Sequence, residues 1–75
     1  MKEQFKNMLL KDIFANKECE ETIRRMAPQL AKFPLAMVAN KKAGEIFTLA
    51  VTMKLVDVET RDNIVAELER ILGIE

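Results

Sequence analysis

The chain has 75 residues, of which 49% are hydrophobic, and its 12 basic and 12 acidic residues cancel. This length predicts one domain, residues 1–75, and the balanced charge argues against a dedicated nucleic-acid-binding protein, which usually has a strong basic excess. Cys19 is the only cysteine and histidine is absent, which excludes a disulfide within the chain and a zinc site. We interpret Cys19 as a small buried hydrophobic residue.

The sequence also bears on the cellular compartment. The first ten residues carry charges and no long apolar segment, unlike a signal peptide. No uncharged run approaches the ~20 residues that a membrane-spanning helix requires. The lack of a cysteine framework is typical of a reducing compartment. We therefore expect a cytoplasmic protein with no membrane segment.

The first predicted helix covers about residues 2–15. Phe5, Leu9 and Ile13 recur every four residues and form one apolar stripe. Asn16 follows, a residue type that can end one helix and cap the next. A second helix is therefore expected to begin directly after Asn16.

The second helix has the most regular pattern, with apolar residues spaced alternately by four and three: Cys19, Ile23, Met26, Leu30 and Phe33. Pro28 interrupts it, but on the polar face, where water can satisfy the carbonyl group that a proline leaves without a partner. We predict one kinked helix, or two helical pieces nearly in line. The element should end near Phe33, because Pro34 disfavours the helical conformation in the residue before it.

Residues 35–55 fit two structures. Alternation of apolar residues with threonine is compatible with a β-hairpin, which would make the fold α+β. The alanines and methionines of the segment favour helix, and a lone hairpin is only marginally stable. Asp57 can cap a following helix, which suits a helix–corner–helix arrangement. We predict a short helix after Pro34 and another from near Lys42. The two can merge, since small and apolar residues keep a helical spacing at Ala36, Ala39, Ala43, Ile46, Ala50 and Met53.

The last helix follows Asp57. Its apolar face consists of Ile64, Val65, Leu68, Ile71 and Leu72. Gly73 lies where glycine commonly ends a helix. The predicted fold is all-α, a small irregular or orthogonal bundle of four to five helices.

Residues that could support catalysis are scarce. The chain has no histidine, serine, tyrosine or tryptophan, and its acidic residues lie at predicted helix ends and surfaces. General acid–base catalysis needs a sheltered carboxylate with a perturbed pKa. Neither a phosphate-binding glycine loop nor an EF-hand spacing is present. We expect no enzyme activity, no catalytic residue, no metal site and no cofactor.

The charges are segregated along the chain. An acidic segment covers residues 57–75. A basic segment with no acidic residue precedes it, and its five bases are Arg24, Arg25, Lys32, Lys41 and Lys42. We interpret the two segments as faces that attract each other, within the fold or across a dimer. The alternative is a nucleic-acid-binding regulator that contacts phosphates through the five bases. The helix after Asp57 is acidic and therefore poorly suited to reading DNA.

The apolar content indicates an interface. Several large apolar residues fall outside the predicted stripes and are candidate interface residues: Leu35, Met37, Phe47, Val51 and Leu55. Exposed apolar patches on small proteins commonly mark binding surfaces. The alanine row at positions 36, 39, 43 and 50 is a second flat surface that another helix could approach. We expect a protein–protein interaction module that forms a two-fold homodimer or binds a partner helix.

Overall fold

The computed structural model describes residues 1–32 and 34–75, and for residues 31, 32 and 35 it describes the backbone alone. The regular structure of these residues consists of helices. In chain order they are α1 (Glu3–Lys6), α2 (Leu10–Phe14), α3 (Lys17–Met26), a 3-10 helix (Pro28–Lys32), α4 (Leu35–Val38), α5 (Ala43–Thr52) and α6 (Val58–Leu72). The prediction of a small all-α bundle is confirmed, although the helices are more numerous and shorter than predicted. The alternative hairpin at residues 35–55 is wrong, because α5 occupies that segment. Among these helices, none is both long and apolar enough to cross a membrane.

The single helix predicted over residues 2–15 is wrong, because the chain leaves the helix at residues 7–9. Leu9 has an extended backbone (φ −80°, ψ 145°) and pairs in antiparallel fashion with Lys42. Three backbone hydrogen bonds join the segments, from Leu10 N–H to the Lys41 carbonyl (3.0 Å), from Lys11 N–H to the Ala39 carbonyl (3.0 Å) and from Ala43 N–H to the Met8 carbonyl (2.8 Å). These long-range bonds satisfy the backbone groups that the interruption frees.

Proline ends the second helix earlier than its apolar stripe suggests. The α-helical part stops at Met26, and Ala27 has a non-helical backbone (φ −145°, ψ 71°). The reason is local, because a proline ring disfavours the helical conformation in the preceding residue. Of the two predicted forms, one continuous kinked helix is wrong and two helical pieces are confirmed, an α-helix and then a 3-10 helix that begins at Pro28. The predicted end at Phe33 lies outside the described residues.

The predicted helix caps are confirmed. The Asn16 side chain accepts a hydrogen bond from Cys19 N–H at 3.1 Å and starts α3. Asp57 accepts one from Thr60 N–H at 2.7 Å and starts α6. Gly73 ends α6 in the left-handed conformation, with φ of 71°. Each cap satisfies backbone groups that have no partner inside the helix.

Helices α4 and α5 remain separate. Lys41 N–H donates to the Val38 carbonyl at 2.9 Å and closes a turn after α4. After this turn, Lys42 pairs with Leu9, which lies in the break between α1 and α2. The same pairing that interrupts the first predicted helix thus keeps α4 and α5 from merging.

The core collects apolar side chains from both ends of the chain. The largest fully buried ones come from α1, α2, α3 and α6: Phe5, Ile13, Cys19, Ile64 and Leu68. The Phe5 ring packs on that of Phe47, with centroids 5.8 Å apart and planes tilted by 45°. Helix α3 packs against α6, and α1 packs against α5. The interpretation of Cys19 as a buried hydrophobic residue is confirmed, and burial, followed by the charge of Glu18, raises the pKa of its thiol.

Candidate interaction surfaces

The predicted interface residues differ in how much of each side chain is exposed to solvent. Phe47 is only 3% exposed and belongs to the core, so its assignment to a surface is wrong. Val51 and Leu55 are half-buried, whereas Met37 on α4 is 75% exposed. The side chain of Leu35 lies outside the described residues. Phe47 is buried because α1 brings Phe5 against this side of α5.

Two of the four residues in the predicted alanine surface are not free for another molecule, whereas Ala36 is exposed. Ala43 and Ala50 are buried in the core, and α1 packs against α5. A Cβ atom placed on Gly44 would lie 3.1 Å from the Cβ and 3.3 Å from the Cα of Lys6. The small residues at the start of α5 therefore let α1 approach closely, and this part of the row serves the fold of the chain itself.

The outer side of α5 carries apolar side chains that the core does not use. Leu49 is 41% exposed and Met53 is 52% exposed. Ile46, on the same side, is half-buried and packs against the core. The predicted row of small and apolar residues included Ile46 and Met53 with the buried Ala50, but the neighbouring helices cover only part of this side of α5. We name Ile46, Leu49 and Met53 the α5 stripe.

An apolar groove opens beside the α5 stripe, between α2, α3, the 3-10 helix, α4 and α5. Its volume is about 320 Å³, near the lower limit for small-molecule pockets. The apolar lining includes Leu10, Phe14, Ile23, Leu30, Val38 and Ile46. Glu20 and Arg24 also line the groove and form an ion pair at 3.2 Å. The groove can therefore bind an apolar side chain, and Glu20 and Arg24 can contact polar groups next to that side chain.

Acidic residues face the two basic residues of α3. Arg24 pairs with Glu20, and Arg25 belongs to the end of α3, which packs against α6. The pKa of Glu67 on α6 is lowered, first by its hydrogen bond with Arg70 and to a smaller extent by the charges of Arg70 and Arg25. Arg25 thus lies near the acidic segment of the same chain, but the salt bridges among the described residues do not join the two segments.

The hypothesis of a nucleic-acid surface retains four exposed bases, Arg24 and Arg25 on α3 and Lys41 and Lys42 in the turn before α5. The side chain of Lys32 lies outside the described residues. Titration of a labelled duplex at low salt and again at higher salt tests this hypothesis, because phosphate contacts weaken as salt is added.

The described residues include no cluster of three or more cysteine and acidic side chains that could hold a metal ion. Each buried side-chain nitrogen or oxygen atom among them has a hydrogen-bond partner. Comparisons with protein-family models, curated proteins and solved structures give no match.

Proposed function

We propose that this protein is a small cytoplasmic, non-enzymatic interaction module that self-associates. The observation that carries the proposal is the apolar surface left after the core is formed. Met37, Leu49 and Met53 each expose two fifths or more of their surface. Large apolar side chains on a small protein commonly mark the place where another molecule binds.

The size of the domain supports the same function. A domain this short buries only about 60% of the surface that its unfolded chain exposes, and oligomerisation is a common way to add stability. A binding role also needs none of the nucleophiles and bases that the sequence lacks. Self-association would cover apolar side chains that otherwise face water.

Light scattering behind a sizing column tests the proposal over a wide range of protein concentration. We expect a mass of 8.6 kDa for the most dilute protein and a rise towards twice that value as concentration increases. A mass of 8.6 kDa at every concentration, up to the millimolar range, would show that the chain does not self-associate and would overturn the proposal.

A further inference from the structure

We propose that the groove between α2, α3, the 3-10 helix, α4 and α5 binds a free apolar α-amino acid, whose charged head group contacts Glu20 and Arg24. The groove lies within one chain, so this binding does not require self-association. Three properties of the groove select this class of ligand: its apolar lining, its volume and the pair of opposite charges on α3.

Five helical elements meet around the groove without filling it. Buried side chains of α2, α3 and α5 line it, among them Leu10, Ile23 and Phe47. Leu30 and Val38 line it from the 3-10 helix and from α4, and both are only half-buried. Side chains beside an unfilled space lose van der Waals contacts, and an apolar group that enters the space restores them.

The volume of the groove limits the size of the ligand. The space measures about 320 Å³. At ~30 Å³ for each non-hydrogen atom, the share of one water molecule in the liquid, it has room for about ten such atoms. Leucine, methionine and phenylalanine are of this size. The groove therefore matches a single amino acid and is too small to enclose a longer peptide.

Glu20 and Arg24 supply the two charges that the head group of an amino acid requires. They lie one turn apart on α3, and their charged groups are 3.2 Å from each other. The ammonium and the carboxylate of an α-amino acid are likewise adjacent, because one carbon atom carries both. Glu20 can accept hydrogen bonds from the ammonium. The guanidinium of Arg24 has five N–H donors, so it can bind the ligand carboxylate and keep its contact with Glu20.

The same pair disfavours ligands that carry a single charge. Glu20 repels an apolar carboxylate such as a fatty acid, and Arg24 repels an apolar amine. Ile23 lies on the same side of α3 and is buried, so the apolar lining begins directly beside the charged pair. An amino acid has the same arrangement, since its apolar side chain begins beside its head group.

Nuclear magnetic resonance of the isotope-labelled full chain, titrated with L-leucine, measures the binding. We expect the amide signals of residues that line the groove to shift and to saturate. Each apolar carbon removed from the ligand should weaken binding about fourfold, which corresponds to ~0.8 kcal/mol, so alanine should bind much more weakly than leucine. N-acetyl-leucine lacks the ammonium and leucinamide lacks the carboxylate. Each should bind about tenfold or more weakly than leucine.

Charge variants with matched controls test the two residues. Arg24→Gln should weaken leucine binding about tenfold, but it should not weaken leucinamide, which has no carboxylate to lose. Arg25→Gln is the control, because Arg25 is a neighbouring exposed residue outside the described lining of the groove, and it should leave both affinities unchanged. Glu20→Gln should also weaken leucine binding about tenfold, and Glu21→Gln, at an exposed position beside it, should not.

A variant that fills the groove tests the position of the ligand. Val38→Phe adds a ring to a residue of the lining and should abolish leucine binding. Val58→Phe makes the same change at an exposed position on α6, and this control should bind leucine as the original protein does. Circular dichroism checks that both variants keep their helices.

Three results would overturn the proposal. The first is the absence of saturable shifts with leucine, methionine and phenylalanine up to the solubility limit of each. The second is equal binding of leucine, N-acetyl-leucine and leucinamide, which would show that the groove selects the apolar side chain alone. The third is unchanged leucine binding in Val38→Phe or in Arg24→Gln, which would place the ligand elsewhere on the protein.

Discussion

Lys54 lies in the left-handed conformation at the end of α5, with φ of 59°, and replacing it with glycine should stabilise the protein. Lys54 N–H donates to the Val51 carbonyl at 3.0 Å, and Leu55 N–H donates to the Ala50 carbonyl at 2.9 Å. This is the hydrogen-bond pattern of a Schellman motif, in which the left-handed position is usually glycine. The backbone can make the same bonds after Lys54→Gly.

The magnitude follows from two opposing backbone effects. A non-glycine residue in the left-handed conformation costs ~1–2 kcal/mol, because its Cβ approaches the following carbonyl oxygen. Glycine loses more conformational freedom on folding, which costs ~0.5–1 kcal/mol. The difference predicts that Lys54→Gly raises the free energy of unfolding by about 1 kcal/mol. For a domain of this size, that corresponds to an increase in Tm of ~4–8 °C.

The assay is thermal unfolding followed by circular dichroism, in protein dilute enough that association does not contribute. Gly73→Lys is the matched control, because Gly73 ends α6 in the same conformation and no atom lies within 4 Å of a Cβ placed there. This control should lower the free energy of unfolding by about 1 kcal/mol. If Gly73→Lys lowers Tm but Lys54→Gly leaves it unchanged or lowers it, the assigned backbone cost at Lys54 is wrong.

Three further changes test other parts of the fold. Gly44→Val should lower the free energy of unfolding by about 2 kcal/mol, since the added atoms meet the backbone of Lys6, and urea unfolding measures this loss. Gln29→Ala should lower it by about 1 kcal/mol by removing the 2.8 Å hydrogen bond to the Leu55 carbonyl, and an unchanged urea midpoint would contradict that role. The hydrogen bond from Thr60 N–H at the start of α6 lowers the pKa of Asp57 in the folded protein. The ionised Asp57 side chain therefore stabilises the fold above its unfolded pKa of about 3.9, and this stabilisation is lost as the pH falls through the lower folded pKa. Urea midpoints should therefore fall less on acidification in Asp57→Asn than in the original protein.

Local signals in the sequence were sufficient for the helices that have strong caps. Asn16, Asp57 and Gly73 act through hydrogen bonds within a few residues, so the ends that they define could be predicted from neighbouring residues alone. The helical nature of residues 35–55 was also predictable, because the four alanines and two methionines of this segment outnumber its two threonines. Pro28 also acts locally, because it ends α3 at Met26 although the apolar pattern of the sequence continues past it.

The candidate surface was less predictable than the helices. The sequence identified the excess of apolar residues, and Met37 is indeed exposed. It placed Phe47 on the surface, where the structure buries it, and it did not include Leu49 among the candidate interface residues, although Leu49 is exposed. An apolar pattern shows which residues avoid water, but it does not show which of them a neighbouring helix covers.

The tertiary structure decided what depends on contacts between distant parts of the chain. Residues 7–9 contain no proline or glycine, yet the helix breaks there because the segment exchanges backbone hydrogen bonds with the residues before α5. The resulting position of α1 buries Phe47 and leaves Leu49 facing water. By itself, the sequence determined where hydrogen bonds between near neighbours can start and stop a helix. Which side of each helix is covered depended on the free energy of packing the whole chain, which no local pattern contains.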